Sequence, residues 1–185
     1  RQRQVHPAVI EASPRCRHRE DCYCSLSVPM PPHPLVLWTI RAATLLYFAA
    51  VARLLLRRPA RALWVAGCVL YLAHVVAAFH FSYQWSHTVA VRETARQTND
   101  MFGLNWGGGV YFNYAFTAIW SADALQWLLA PRARETRPAW IGYTVQGYIA
   151  WMFVNGAIVF PSGPVRWLSL LAAAGLAGLW LRGRR

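Results

Sequence analysis

From residue 35 onward the chain alternates between long apolar runs and short polar connections. The runs cover residues 35–56, 62–82, 109–130, 139–160 and 165–181. A helix needs roughly 20 mostly apolar residues to cross a hydrocarbon core of about 30 Å, and each run approaches that length, the last being the shortest. Proline marks the boundaries at Pro34, Pro59, Pro131, Pro138, Pro161 and Pro164. A residue without an N–H closes one helix or opens the next. The pattern predicts an all-α, multi-pass transmembrane helix bundle of about five spans, forming one domain over residues 30–185.

The connections set an orientation. Arg57, Arg58 and Arg61 separate the first two runs, Arg132, Arg134 and Arg137 separate the third from the fourth, and Arg182, Arg184 and Arg185 follow the fifth. In a five-span arrangement these clusters share one face, which the positive-inside rule makes cytoplasmic. The N-terminus is then outside and the C-terminus inside. The long connection 83–108 faces outward. Within it Arg92 and Arg96 are balanced by Glu93 and Asp100, and the i,i+3 and i,i+4 spacing about Arg96 favours an exposed helix continuing the second span.

Composition agrees with a bilayer. Hydrophobic residues make up 56% of the sequence and charged residues 14%, against roughly 45–50% and about 25% in a soluble domain. A formal charge of +12 taken alone resembles that of a nucleic-acid binder. Here the basic residues sit in short groups between apolar runs, so the expected partner is lipid and not nucleic acid. All nineteen basic residues are arginine. With the abundant alanine, this points to a GC-rich genome and a bacterial cytoplasmic (inner) membrane.

Residues 1–29 carry neither helical nor strand periodicity and no continuous apolar stretch of signal-peptide type. They read as a disordered tail, or as translated sequence upstream of a start at Met30. Cys16, Cys22 and Cys24 lack the paired spacing of a zinc site. Cys68 is then the single cysteine of the membrane domain.

Ionisable groups inside a span are costly, which makes them candidates for function. Asp123 lies about 9 Å from the nearer end of the third run at 1.5 Å per residue. Arg53 and Gln146 fall near the same level. The expectation is an inner polar layer in which Asp123 pairs with Arg53 and accepts from Gln146, most simply to fix helix register. An outer layer gathers Arg41, His80, Asn113 and Asn155, with His33 just before the first span. If the second span continues as a helix, His87 falls on the face of His80, two turns and about 10 Å further on. That distance is too long for the two to hold one metal ion unaided.

His74 and His87 are thirteen residues apart. In spacing alone they resemble the paired haem-ligand histidines on helices of membrane cytochromes b. The resemblance implies haem, but axial ligation needs opposing histidines from another helix. The third to fifth runs contain none, so only two copies of the second span in a symmetric dimer would supply them. Neither haem nor a metal is expected as a cofactor.

Phe79, Phe81, Tyr83, Trp85, Phe102, Trp106, Tyr111, Phe112 and Tyr114 crowd the outer face. Aromatic rings at headgroup level explain such a cluster. A lipid- or quinone-binding vestibule beneath the outer connection is the functional alternative, and Gly107, Gly108 and Gly109 suit close backbone approach there. Gly142, Gly147, Gly156, Gly175 and Gly178, with Ala174 and Gly178 in small-xxx-small spacing, predict tight helix packing within the chain. No HExxH, CxxC or phosphate-binding loop is present in the sequence. The reading favours a non-enzymatic membrane subunit or assembly factor, working with a membrane-protein partner or a second copy. Its alternatives are a small-molecule or ion conduit through the layers at His80 and Asp123, and a haem-, metal- or quinone-linked redox or lipid-modifying enzyme.

Overall fold

The computed structural model describes residues 33–160 and 163–183. The reading of residues 1–29, their cysteines and the start at Met30 lies outside the described residues. Within them every regular element is helical: α1 Pro34–Leu55, α2 Arg61–Phe81, α3 His87–Phe102, α4 Gly109–Leu129, α5 Pro131–Glu135, α6 Ala139–Val154 and α7 Pro164–Arg182. α6 runs on without a break into a π-helical turn, Asn155–Val159. By length and composition α1, α2 and α7 are each able to cross a membrane.

Local chemistry accounts for the helix starts. Pro34, Pro131 and Pro164 each occupy the first turn of a helix, where the missing N–H has no intrahelical role. His33 caps α1, its Nδ1 accepting from the Leu35 N–H at 3.3 Å, and its ring stacks on Phe81 at 3.8 Å. The start of α1 is thereby tied to the end of α2. Leu45, Val69, Leu129 and Leu171 are exposed on the long helices. Water would penalise such apolar surface, and lipid does not.

The core is aromatic. Tyr47 of α1 stacks on Phe153 of α6 with ring centroids 3.8 Å apart. Trp120 of α4 stands at the centre, with the rings of Trp64, Tyr71, Phe116 and Phe153 5.4–5.7 Å away and Tyr47 at 6.2 Å. Edge-to-face and tilted contacts of this kind suit the ring quadrupoles. Gly67 admits the indole, since a Cβ there would stand 3.2 Å from the Trp120 ring. Trp64 and Trp120 have no exposed surface.

Two expectations are corrected. α2 ends at Phe81 and does not continue into the polar connection. The chain turns through Gln84 and Trp85 at φ 49° and 58°, left-handed values that few side chains adopt. The turn closes its own hydrogen bonds, from Trp85 N to Phe79 O and from Ser86 N to Tyr83 O, and the Ser86 hydroxyl then caps α3 at Val89 N. His87 therefore shares no helix with His80 or His74, and both histidine spacings lose their helical meaning. The glycines of the fourth and fifth runs also pack loosely. A Cβ at Gly147, Gly156, Gly175 or Gly178 would meet nothing within 4 Å. α7 lies at the edge of the bundle, against α1 and the π turn, and Ser169 is its one buried residue among those described.

Trp120→Ala is expected to destabilise the protein by about 3–5 kcal/mol, the cost of emptying a large aromatic site. Leu171→Ala on the lipid face should cost under about 0.5 kcal/mol. Chemical unfolding in mild detergent compares the two, and equal losses would contradict a core centred on Trp120.

Candidate functional site

A chamber of about 630 Å³ opens above the aromatic column, at the end of the bundle where α3 lies. Pockets that take small molecules span roughly 300–1,000 Å³. Ile40 and Thr44 of α1, Tyr71 and His74 of α2, Asn113 and Thr117 of α4, and Met152, Phe153 and Asn155 of α6 and the π turn form its wall. Thr94, Gln97 and Thr98 of α3 complete it as a roof. Among the described residues this wall carries no carboxylate and no guanidinium. A π turn widens a helix locally and places Asn155 at the rim, where its amide donates to Trp151 O at 2.8 Å.

The roof sits on glycine. A Cβ at Gly107 would come within 2.6 Å of a Val91 methyl and 2.7 Å of the Val91 carbonyl oxygen, and one at Gly109 within 2.9 Å of the Thr94 methyl. The WGGG run is thus the seat on which α3 rests. His87 Nδ1 lies 2.9 Å from the Tyr114 hydroxyl and adds a second tie between α3 and α4. On the outer side of α3 Arg96 donates to Glu93 and to Asp100, while Gln97 Nε2 donates to Glu93. The hydrogen bonds from Arg96 hold the Glu93 carboxyl below its ordinary range. Burial pushes the Tyr83 hydroxyl, in the turn before α3, above the usual phenol range.

At the opposite end of the bundle Asp123 is buried and clasped by two arginines. Arg137 Nη1 donates to its Oδ1 at 2.6 Å and Arg134 Nη2 to its Oδ2 at 3.0 Å. Arg137 also reaches Gln126 Oε1 at 3.2 Å, and the Arg134 guanidinium lies over the Trp127 ring at 3.6 Å. The expected partner, Arg53, is instead exposed in the last turn of α1. Gln146 Nε2 is buried with no hydrogen-bond partner among the described residues. α5 explains the outcome: Pro131 starts a short helix immediately after α4, and this folds the connecting arginines back beneath Asp123.

The other candidates divide. His74 and Asn155 line the chamber. Arg41 is exposed beside Trp38, 5.4 Å from its ring, and His80 is exposed against Phe81 and Trp85. Neither lines the chamber, and His80 and His87 belong to no group of three metal-ligating side chains among the described residues. Between the chamber and the Asp123 clasp stand Trp120 and Trp64, fully buried and in mutual contact at 5.7 Å. Sequence reasoning missed Thr44, Tyr71 and Thr117, because a threonine or tyrosine within an apolar run carries no signal of the cavity it faces, and Thr94 and Thr98, because in the polar connection 83–108 they read as part of a solvated surface.

Comparison with known protein family models, with curated proteins and with solved structures gave no match.

Asp123→Asn leaves two poorly hydrated guanidinium groups without their carboxylate, so a loss of about 3–5 kcal/mol is expected. Gln146→Leu removes a buried, unpartnered amide and should be neutral or stabilising. Thermal unfolding of the two variants in detergent tests the assignment, and a neutral Asp123→Asn would refute the clasp.

Proposed function

We propose that this protein is a five-span membrane protein, N-terminus outside and C-terminus inside a bacterial cytoplasmic membrane, that holds a lipid-like molecule in the chamber beneath α3. α4 and the joined α6 and π turn supply the two spans beyond α1, α2 and α7; their aromatic and polar wall residues lower their hydropathy without shortening them. The observation that carries the reading is the chamber itself: a largely apolar space with a few convergent polar groups, roofed by an amphipathic helix and rimmed by exposed Phe102, Leu104 and Trp106. An apolar rim at headgroup level gives an alkyl chain a path from the bilayer. The role fits a non-enzymatic membrane subunit that binds lipid or presents it to a partner protein. A conduit is disfavoured by the two buried indoles that separate the chamber from Asp123.

Photolabelling with an uncharged long-chain alkyl diazirine tests the proposal. In detergent-purified protein returned to nanodiscs, adducts are expected on the chamber faces of α4 and α6, near Phe116 and Met152. Gly156→Phe places a ring at a wall position with open space around it, and should abolish those adducts while sparing adducts at lipid-facing Leu45 and Leu171. Chamber labelling unchanged by Gly156→Phe would overturn the proposal.

A further inference from the structure

The direction of the hydroxyl groups in the chamber restricts what it takes. Each wall threonine spends its hydrogen on the carbonyl four residues earlier in its own helix: Thr44 on Ile40 at 2.8 Å, Thr94 on Ala90 at 2.9 Å, Thr98 on Thr94 at 2.9 Å and Thr117 on Asn113 at 2.8 Å. Each keeps only oxygen lone pairs for a ligand. The Tyr71 hydroxyl lies 3.2 Å from Thr117 Oγ1. With the Thr117 hydrogen directed at Asn113, Tyr71 is the donor of that bond and also retains lone pairs alone. His74 Nδ1 is 2.9 Å from Val36 O, and a carbonyl only accepts. Nδ1 therefore carries a hydrogen, and in the neutral form of the ring Nε2 is left as an acceptor.

Thr44, Tyr71, His74 and Thr117 lie about 10–15 Å inward from the α3 ends of their helices at 1.5 Å per residue. They form the deep part of the chamber, and it accepts hydrogen bonds without offering any. The amides of Asn113, Gln97 and Asn155 sit nearer the mouth, so groups able to donate are kept there.

We propose that the chamber selects neutral lipids whose head donates a hydrogen bond, namely hydroxyl-headed lipids of the aliphatic alcohol or phenol class, bound head inward with the chain leaving past the apolar rim. This rests on the lipid-binding reading above and adds head-group selection to it. An anionic head finds lone pairs and no cation at the floor. An ether or ester head finds no donor. A hydroxyl finds acceptors already oriented by their own helices, so little ordering remains to be done on binding.

Equilibrium binding of radiolabelled hexadecanol, pentadecylphenol, hexadecyl methyl ether and palmitate to the full chain in nanodiscs tests the inference. Hexadecanol, pentadecylphenol or both are expected to bind about tenfold more tightly than the ether and palmitate, one net hydrogen bond's effect; whichever of the two binds better identifies the source of the hydroxyl. Thr117→Val removes one acceptor and frees the Tyr71 hydrogen, so it should narrow the preference over the ether to about threefold or less. His74→Phe should narrow it independently. Equal binding of alcohols and ether would overturn the head-group selection while leaving lipid binding intact, and so would tightest binding of palmitate. An unchanged preference in a folded Thr117→Val protein would overturn the assignment of the floor. Binding of none of the four would overturn both this inference and the lipid-binding reading.

Discussion

The structure depends on the packing of one indole. Trp120 stands where α1, α2, α4 and α6 meet, and rings from all four of these helices touch or surround it. In a bilayer, helices gain no hydrophobic free energy from meeting one another, so close packing and polar contacts must hold them together. A column of interlocking rings supplies dense van der Waals contact at little rotamer cost. It also divides the molecule along its length, with a charged clasp at one end and an uncharged chamber at the other.

The two ends solve different problems. Asp123 with Arg134 and Arg137 places the connection after α4 and closes that end of the bundle. Buried charge of this kind adds specificity more reliably than stability, because desolvation consumes much of the attraction. At the other end the glycine seat lets α3 lie directly on the start of α4. The helix brings threonine and glutamine over the opening and keeps its Glu93, Arg96 and Asp100 network on the outer side. A bulkier seat would lift the roof and open the chamber to water.

Much of the helical architecture was legible, because proline and apolar run length set helix ends almost directly. The run 109–130 corresponds to α4, Gly109–Leu129, and the run 139–160 to α6 with its π turn. The break between α2 and α3 was not legible: residues 82–86 hold neither glycine nor proline, and two ordinary side chains take left-handed conformations there. Arg134 and Arg137 read as topological charges and turned out to hold Asp123, since helical levels count only along spans and miss a short helix that folds back. The pairing of Arg53 with Asp123 failed for that reason. The aromatic cluster and the glycines marked the place of the chamber. Its chemistry lay in hydroxyl directions that depend on which face of each helix meets the cavity.

Lipid co-purification tests most directly whether the chamber is a binding site. The full chain and its Gly156→Phe variant would be isolated in the same mild detergent, and the retained lipids extracted and identified by mass spectrometry. The account predicts a stoichiometric neutral, hydroxyl-bearing lipid on the native chain and its loss from the variant. Identical retention by both proteins, in the proportions of the surrounding membrane, would contradict it.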